Sequence, residues 1–451
     1  MAVVAPFMGL TYDFQRISDL SKLVAPPYDV ISREEADAFY EQDPHNVVRL
    51  ILGKKKKGDS DWDNTYTRAA SYFHRWQDEG ILVRTPGPAL YLTTMTFRTE
   101  EGGRELTRLG LIALVRIEEE NSGVILPHER TFSAHKEDRL RLMKTCNAQF
   151  SQIFGLYDDP DHAVLGAFKR VLRSPPRAAF LMPDGTSHRL WVIRDESLAR
   201  HVARQMSSKS ILIADGHHRY ETARNYRNMM RARYGRRPGD RAYEYVMMYL
   251  SNMNDEGLII LPTHRVIRYA AGFRLEKFMG IITEWFQIRK SDFPKERIAD
   301  RAASIKKRLA ASGARRPAFF FFPGTGEHAY ELTLKPGASD HMGDDLHPAL
   351  RKLDVLVLSR FLLQRGLGFT KADLDNDELI HYESSMKRAL SLVAEGSHQM
   401  AFLMNPTRME HVIEIAGNGL VMPRKSTFFH PKVITGLVFN KIDPHERIPI
   451  P

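Results

Sequence analysis

The stretch Ile211-Leu-Ile-Ala-Asp-Gly-His-His-Arg-Tyr-Glu-Thr-Ala223 decides the fold and the candidate site. An apolar run typical of a buried strand ends at Asp215, and Gly216 permits a tight turn. A helix follows from His218. The first turn of a helix has free backbone N–H groups and the positive end of the helix dipole, which together suit a phosphate group. The stretch therefore predicts a strand–turn–helix unit with an anion site at the turn.

The side chains at this turn are also chemically active. His217, His218 and Arg219 supply hydrogen-bond donors and positive charge, and Asp215 can hold a metal ion or a substrate hydroxyl. Glu221 follows His217 by one helical turn, so Asp215 and Glu221, with His217, are candidate ligands for a divalent cation. Mg²⁺ that accompanies a phosphate is favoured over a permanent transition-metal site. The alternative is that Asp215 caps the helix while the histidines pair structurally.

A second motif, Ile125-Leu-Pro-His-Glu-Arg-Thr-Phe132, places a carboxylate between an imidazole and a guanidinium. Pro127 fixes the backbone just before His128 and Glu129. Glu129 is therefore the candidate general base, with His128 and Arg130 as candidate substrate-binding groups. The alternative is an exposed glutamate with no chemical role.

A third motif near the C-terminus is basic, aromatic and interrupted by proline, as functional loops often are. Its cationic and hydroxyl side chains fit phosphate binding, although a surface basic loop remains the alternative. The candidate residues are Arg424, Lys425, Ser426 and Thr427, followed by His430 and Lys432.

The pattern of elements indicates an α/β chain with a mixed sheet, divided into three segments. These are an N-terminal α/β segment (1–125) with a Pro-Pro-Tyr-Asp loop, a catalytic core (126–270), and a C-terminal α/β segment (271–451) that contributes the basic loop. Ser32 and Glu35 have capping-box spacing. Further predictions are strands at Val47–Leu52, Ala89–Phe97, Arg108–Ile117 and Ser210–Ala214, and helices at Asp61–Asp78 and Lys136–Phe154.

Composition excludes several classes of protein. Cys146 is the only cysteine, so an intramolecular disulfide and a cysteine-based zinc site are both excluded. The chain starts without a signal-peptide pattern and has no long apolar run, which predicts a soluble cytoplasmic protein. The net charge of +10 suits anionic partners, yet only Lys54–Lys57 forms a dense basic run. That run has the glycine spacing of a P-loop, but Asp59 replaces the required lysine.

Four motifs in combination resemble one family, domain of unknown function 1015, over essentially the whole chain. They are Ala-Pro-Pro-Tyr-Asp-Val-Ile-Ser (25–32), Ile-Leu-Pro-His-Glu-Arg-Thr (125–131), Ala-Asp-Gly-His-His-Arg-Tyr-Glu-Thr-Ala (214–223) and Pro-Arg-Lys-Ser-Thr-Phe-Phe-His-Pro-Lys (423–432). Residues 125–225 also resemble the free L-serine kinases, which have a ParB/sulfiredoxin-like core. That resemblance implies transfer of a phosphoryl group from ATP, ADP or pyrophosphate to the hydroxyl of free L-serine.

The resemblance also implies roles for individual residues. Glu129 matches the base that accepts the serine hydroxyl proton, and Asp215 matches the aspartate near the metal or substrate. His217, His218 and Arg219 match residues on the phosphate side. The chain departs from those kinases in its long additional segments. The donor and the acceptor can therefore differ from those of the serine kinases. Two alternatives also stay open: a ParB-like nucleic-acid-binding protein, which the net charge of +10 suggests, and a protein that hydrolyses or senses nucleotides.

Overall fold

The computed structural model describes residues 1–99, 103–129, 131, 133–235, 239–293, 297, 299–325 and 327–450. The strands are β1 (Val4–Ala5), β2 (Leu10–Tyr12), β3 (Leu82–Arg84), β4 (Leu90–Arg98), β5 (Glu105–Arg116), β6 (Ile125–Leu126), β7 (Ala148–Gln149), β8 (Ile153–Tyr157), β9 (Ala178–Leu181), β10 (Ser187–Ile193), β11 (Ile211–Asp215), β12 (Tyr245–Asn252), β13 (Ile259–Leu261), β14 (His264–Ile267), β15 (Phe286–Asp292), β16 (Ala318–Phe322), β17 (His328–Leu334), β18 (Ile380–Glu383), β19 (Met400–Met404), β20 (Phe428–His430) and β21 (Asn440–Lys441).

The α-helices alternate with these strands. They are α1 (Arg33–Gln42), α2 (Val48–Ile51), α3 (Thr65–Asp78), α4 (Ser133–Cys146), α5 (Ala163–Gly166), α6 (Glu196–Met206), α7 (His217–Tyr234), α8 (Leu275–Ile282), α9 (Ala302–Gly313), α10 (Pro348–Arg351), α11 (Asp354–Val357), α12 (Lys371–Leu374), α13 (Met386–Ala394) and α14 (Met409–Gly417). Leu358–Gly366 continues α11 as a π-helix. Among the described residues, none of the helices has both the length and the apolar character needed to cross a membrane.

The chain forms two compact units. The first comprises Met1–Pro127, Thr131–Ile259 and Pro431–Pro451, and the second comprises His128–Arg130 and Ile260–His430. These bounds differ from the three predicted segments, because β4 and β5 of the first segment pair with β10 and β12 of the second in one sheet. The N-terminal segment and most of the core therefore share one body.

The first unit is built on a mixed sheet in the order β6-β11-β8-β12-β5-β4-β10-β9, with β1 added beside β5. β11 runs parallel to β6 and antiparallel to β8, whereas β12 runs parallel to β8 and antiparallel to β5. The predicted α/β class with a mixed sheet is confirmed. The description of its core as ParB/sulfiredoxin-like stays a prediction.

The second unit has its own sheet, in the order β15-β17-β16-β19-β14-β18. Its neighbouring strands pair antiparallel. The central strands β16 and β19 are buried along their whole length, because α9 and α13 pack on the apolar cluster that they form. Strand β20 of the basic loop pairs with β13 in a separate two-stranded sheet of this unit.

The local predictions that rest on capping and turn residues are confirmed. The Ser32 hydroxyl accepts a hydrogen bond from the Glu35 amide at 3.1 Å, and the Glu35 carboxylate accepts one from the Ser32 amide at 2.7 Å, so the capping box forms. The strand predicted at Ser210–Ala214 is β11, and the helix after it is α7.

Two local predictions are wrong. Val47–Leu52 contains helix α2 instead of a strand, because a short buried apolar run carries no periodicity that separates the two. The helix predicted at Lys136–Phe154 ends at Cys146, where Asn147 takes a positive φ of 46°. The residues after it form β7, which pairs with β21, and then β8. Pairing with a strand some 290 residues later is invisible to a local pattern.

A glycine in β5 tests the packing of the first unit's sheet. A Cβ at Gly110 would lie 2.0 Å from Cζ of the buried Tyr249 ring. We expect Gly110→Ala to lower the free energy of unfolding by about 1–3 kcal/mol through overpacking. Gly280→Ala in α8, where a Cβ meets open space, should raise it by up to about 1 kcal/mol. Urea unfolding measures both, and equal effects would contradict this account of the sheet.

Candidate functional site

The turn after β11 has the geometry that its sequence predicts. Gly216 has φ 95°, a left-handed conformation that L side chains rarely adopt, and α7 begins at His217. A Cβ on Gly216 would lie 2.9 Å from Cζ of Arg219. The positive φ is therefore the reason for glycine at this position, and the Arg219 guanidinium packs closely against the turn.

Asp215 is the electrostatic centre of this turn. Its Oδ2 accepts a hydrogen bond from Nη2 of Arg219, one helical turn later, and its Oδ1 accepts one from Nζ of Lys432. Nη1 of Arg219 donates to the carbonyl of Gln152, which fixes the guanidinium on both sides. The three charged side chains are only 11–18% exposed, so water screens the ion pairs weakly.

The charge state of Asp215 follows from these contacts. Burial alone would raise its pKa, but Lys432 and Arg219 outweigh burial and hold the pKa well below its ordinary value. His217, which is buried at the start of α7, acts in the same direction. Asp215 is therefore a carboxylate throughout the physiological pH range.

Two further candidate side chains, His218 and Glu221, also belong to α7. His218 is half-buried in the first turn. Glu221 forms an ion pair of 2.8 Å with Lys136 of α4. Burial disfavours the charged form of Glu221, but Lys136 and Thr131 outweigh burial and lower its pKa.

These ion pairs bear on the predicted magnesium site. The carboxylates of Asp215 and Glu221 both form ion pairs with cationic side chains. A resident Mg²⁺ would need carboxylate oxygens that are not already paired in this way. In the part of the chain that the structure describes, no group of three or more His, Cys, Asp or Glu side chains is arranged to hold a metal ion. This arrangement does not fit a resident divalent ion. The binding of Mg²⁺ together with a phosphate group stays a prediction.

The second and third motifs meet within the second unit. His128 is fully buried, and its Nε2 lies 3.3 Å from Oγ1 of Thr427. Its backbone carbonyl accepts a hydrogen bond of 2.8 Å from the amide of Met422, and the half-buried Glu129 forms a parallel bridge with the same residue. The structure thus brings the predicted base motif against the predicted basic loop. Arg130 lies outside the described residues.

The remaining residues of the basic loop have structural contacts. Both carboxylate oxygens of Asp377 accept hydrogen bonds of 2.8 Å from Arg424. The Ser426 hydroxyl is directed at the backbone, where it donates to the carbonyl of Pro423 at 2.5 Å. Lys425 is exposed and has a positive φ of 56°. Their predicted phosphate-binding role stays a prediction.

Arg108 is a site-supporting residue that the sequence did not reveal. Its side chain is completely buried in β5, with Cζ 4.7 Å from the ring centroid of Phe154 and 5.4 Å from that of Tyr249. Its Nη2 donates a hydrogen bond of 2.7 Å to the carbonyl of Pro431, the residue before Lys432. Arg108 therefore fixes the backbone from which Lys432 reaches Asp215.

The Pro-Pro-Tyr-Asp loop also reaches this region of the first unit. Tyr28 lies in a single 3₁₀ turn and lines a cavity of about 50 Å³ together with Arg219. Arg139 lines the same cavity, and its Cζ lies 4.2 Å from the centroid of the Tyr28 ring. The cavity is smaller than two waters at roughly 30 Å³ each, so it is a packing feature beside Arg219.

Replacement of Lys432 should lower the stability of the protein, because the buried Asp215 carboxylate loses one of its cationic partners. In Lys432→Met, only Arg219 and His217 still oppose the effect of burial on Asp215, so its pKa rises and the free energy of unfolding at pH 7 falls by about 1–3 kcal/mol. The depressed folded-state pKa stabilises the wild type above the unfolded value of about 3.9, and this contribution disappears as Asp215 protonates. Urea unfolding should therefore show a gap between variant and wild type that narrows below that pH. The exposed Lys144→Met is the control, and an equal loss there would contradict the assignment.

The role of Arg108 can be tested on Lys432 itself. In Arg108→Met, the Pro431 carbonyl loses its donor, so we expect Lys432 to react several-fold faster with an amine-directed reagent, as mapped by mass spectrometry. The matched variant is Arg98→Met, whose side chain is largely exposed. Unchanged labelling of Lys432 in a folded Arg108→Met protein would show that the carbonyl is held by other contacts.

Comparison with solved structures gives low similarities. A mutant free serine kinase in complex with ADP has a TM-score of 0.34 and 11% identity, with 70% of this chain and 87% of that chain covered. A conserved hypothetical protein from Pyrococcus furiosus has a TM-score of 0.32 and 12% identity, covering 71% and 92%. SbnI with a C-terminal truncation from Staphylococcus aureus has a TM-score of 0.32 and 10% identity, covering 75% and 87%.

Comparison at the level of sequence gives a clear family. A search of curated proteins finds no match. A family model described as protein of unknown function (DUF1015) matches residues 4–356, which include β11, the Gly216 turn and the segments around Tyr28 and Glu129. That range is well over half of the chain. The chain belongs to the DUF1015 family.

Proposed function

We propose that this protein is a small-molecule kinase that transfers a phosphoryl group from ATP, ADP or pyrophosphate to the hydroxyl of free L-serine. The observation that carries the proposal is the charged group at the β11–α7 turn. There, a helix N-terminus, Arg219 and Lys432 surround a permanently ionised Asp215. Phosphoryl transfer is catalysed mainly by positioned positive groups of this kind.

The turn has the donors that a phosphate group requires. The first backbone amides of α7 point out of the helix, and His217, His218 and Arg219 stand in the same first turn. Lys432 adds an ammonium group. An entering phosphate competes with Asp215 for Arg219 and Lys432, so these cations can pass from the carboxylate to the phosphate without a large movement.

The proposed reaction is a direct transfer between two oxygens. The serine hydroxyl oxygen forms a bond to the terminal phosphorus of the donor, and the bond from that phosphorus to the bridging oxygen breaks. The hydroxyl proton passes to the Glu129 carboxylate, the role that the motif resemblance assigns to it. The products are O-phosphoserine and the donor shortened by one phosphoryl group. Mg²⁺ bound to the donor would neutralise its phosphate oxygens.

The nucleic-acid alternative has less support from the charges of α7. Three of its four arginines beyond the first turn pair with acidic side chains of the same unit, which leaves Arg233 alone rather than an open stripe for a phosphate backbone. The pairs are Arg224 with Glu120, Arg227 with Glu119, and Arg231 with Glu119 and Glu244.

Phosphorus NMR tests the proposal directly. The protein is incubated with L-serine and Mg²⁺, and separately with ATP, ADP or pyrophosphate, and we expect a new phosphomonoester signal that matches O-phosphoserine. Glu129→Gln should lower kcat by about 10²–10⁴-fold, because the hydroxyl proton loses its acceptor. Glu137→Gln, an exposed glutamate of α4, is the matched control and should leave the rate unchanged.

Two outcomes would contradict the proposal. Absence of a phosphomonoester with all three donors would remove the kinase assignment. Donor cleavage at the same rate with and without L-serine would instead make the protein a nucleotide hydrolase. An active Glu129→Gln variant would leave the kinase in place and remove only the assignment of its base.

A further inference from the structure

A second cavity lies in the second unit, and the sequence motifs contribute none of its described lining residues. It has a volume of about 240 Å³ and is bounded by the end of α9, the start of α11 and the segment that follows β19. Its polar lining side chains are Asp354, Asn405, Thr407, Arg408 and His411.

Asp354 is the acidic group of this cavity. Within the described residues, its carboxylate has no hydrogen bond or ion pair. Burial raises the pKa of Asp354 to about 7, and Arg408 opposes this rise without cancelling it. A carboxyl group in this position gains free energy from any cationic donor that enters the cavity.

Arg408 is the basic group, and its guanidinium is only partly used. Nη2 donates to the carbonyl of Gly313 at 2.7 Å and to that of Ala314 at 3.3 Å, which anchors the side chain on the end of α9. Nε and Nη1 have no hydrogen-bond partner among the described residues. The arginine is thus held in place with two donor groups left over.

An acidic and a basic side chain therefore line one cavity without forming an ion pair with each other. No ion pair joins Asp354 and Arg408 in the described structure, so each is available to a different charged group of one ligand. We propose that this cavity is a binding site for a small zwitterion of the free amino acid type, with its ammonium group on Asp354 and its carboxylate on Arg408.

The other lining groups fit the same ligand class. Nδ2 of Asn405 donates to the carbonyl of Leu309 at 3.1 Å, so its Oδ1 is oriented as a further acceptor for an ammonium group. Burial and the neighbouring Arg408 lower the pKa of His411, which is therefore neutral at pH 7 and leaves Arg408 as the cation of the cavity.

The volume limits the ligand to a small molecule. At roughly 30 Å³ per water, the cavity holds about eight waters, which is below the roughly 300–1,000 Å³ of pockets for drug-sized ligands. A nucleotide is too large, and a divalent metal finds no set of three ligating side chains among the described residues. The proposal is independent of the kinase assignment, because the cavity shares no described lining residue with the Asp215 site.

Isothermal titration calorimetry of the full chain with L-alanine tests the site. L-Alanine has both charges but no hydroxyl group, so it cannot act as a phosphoryl acceptor. We expect it to bind, and we expect L-alaninamide and N-acetyl-L-alanine, which lack the carboxylate and the ammonium group respectively, to bind at least about tenfold more weakly. Asp354→Asn and Arg408→Gln should each weaken L-alanine by a similar factor.

Two controls separate this site from the kinase proposal. Glu410→Gln, on the exposed face of α14, and Lys432→Met, at the Asp215 site, should both leave L-alanine binding unchanged. Absence of binding to the wild type, or equal binding to Asp354→Asn, would overturn the proposal. Loss of binding in Lys432→Met alone would overturn it as well, since the amino acid would then occupy the Asp215 site.

Discussion

The first unit depends on two buried ion pairs that share one carboxylate, because Asp215 is held between Lys432 and Arg219. A carboxylate with so little exposure is costly unless its charge is balanced. One cation, Arg219, comes from the helix that follows Asp215, and the other, Lys432, comes from 217 residues later in the chain. The C-terminal segment is therefore an integral part of this unit. β21 pairs with β7, and Phe439 lies in the core, so the return of the chain is stabilised by apolar contacts as well as by charge.

Lys432 is itself positioned by a second buried charge, the guanidinium of Arg108. Arg108 is completely buried, which is unfavourable for a guanidinium unless aromatic faces and carbonyl oxygens replace its water. Phe154 and Tyr249 supply the faces, and Pro431 supplies a carbonyl. Phe154 is also the register partner of Asp215 across β8 and β11. The strand that carries the carboxylate and the residue that positions its cation are thus parts of one packed cluster.

Those parts of the site that are determined by residues adjacent in the sequence were predicted. Strand, glycine turn and helix at 211–234 were predictable, because an apolar run, a residue free to adopt positive φ and a polar helix start each leave a local signal. The partner of Asp215 was not predictable, since Lys432 lies in a proline-punctuated loop with no periodicity. Arg108 was hidden for a related reason, because an arginine within a strand is normally read as facing solvent. The helix predicted through 136–154 failed at Asn147, where long-range pairing of β7 overrides the local helical pattern.

The arrangement of charge also bears on how the proposed phosphate site would bind its ligand. In the described structure, Asp215 keeps Arg219 and Lys432 fixed and desolvated before any ligand is bound, at a helix start whose dipole favours an anion. A phosphate that enters this turn finds donors already oriented, so it avoids most of the entropy cost of ordering flexible cations. In the proposed function, the Asp215 carboxylate balances the charge of Arg219 and Lys432, and its oxygens are released as ligands only when a phosphate has bound these two cations. We therefore expect Asp215 to bind a metal ion that accompanies the phosphate only after Arg219 and Lys432 have moved from the carboxylate to the phosphate.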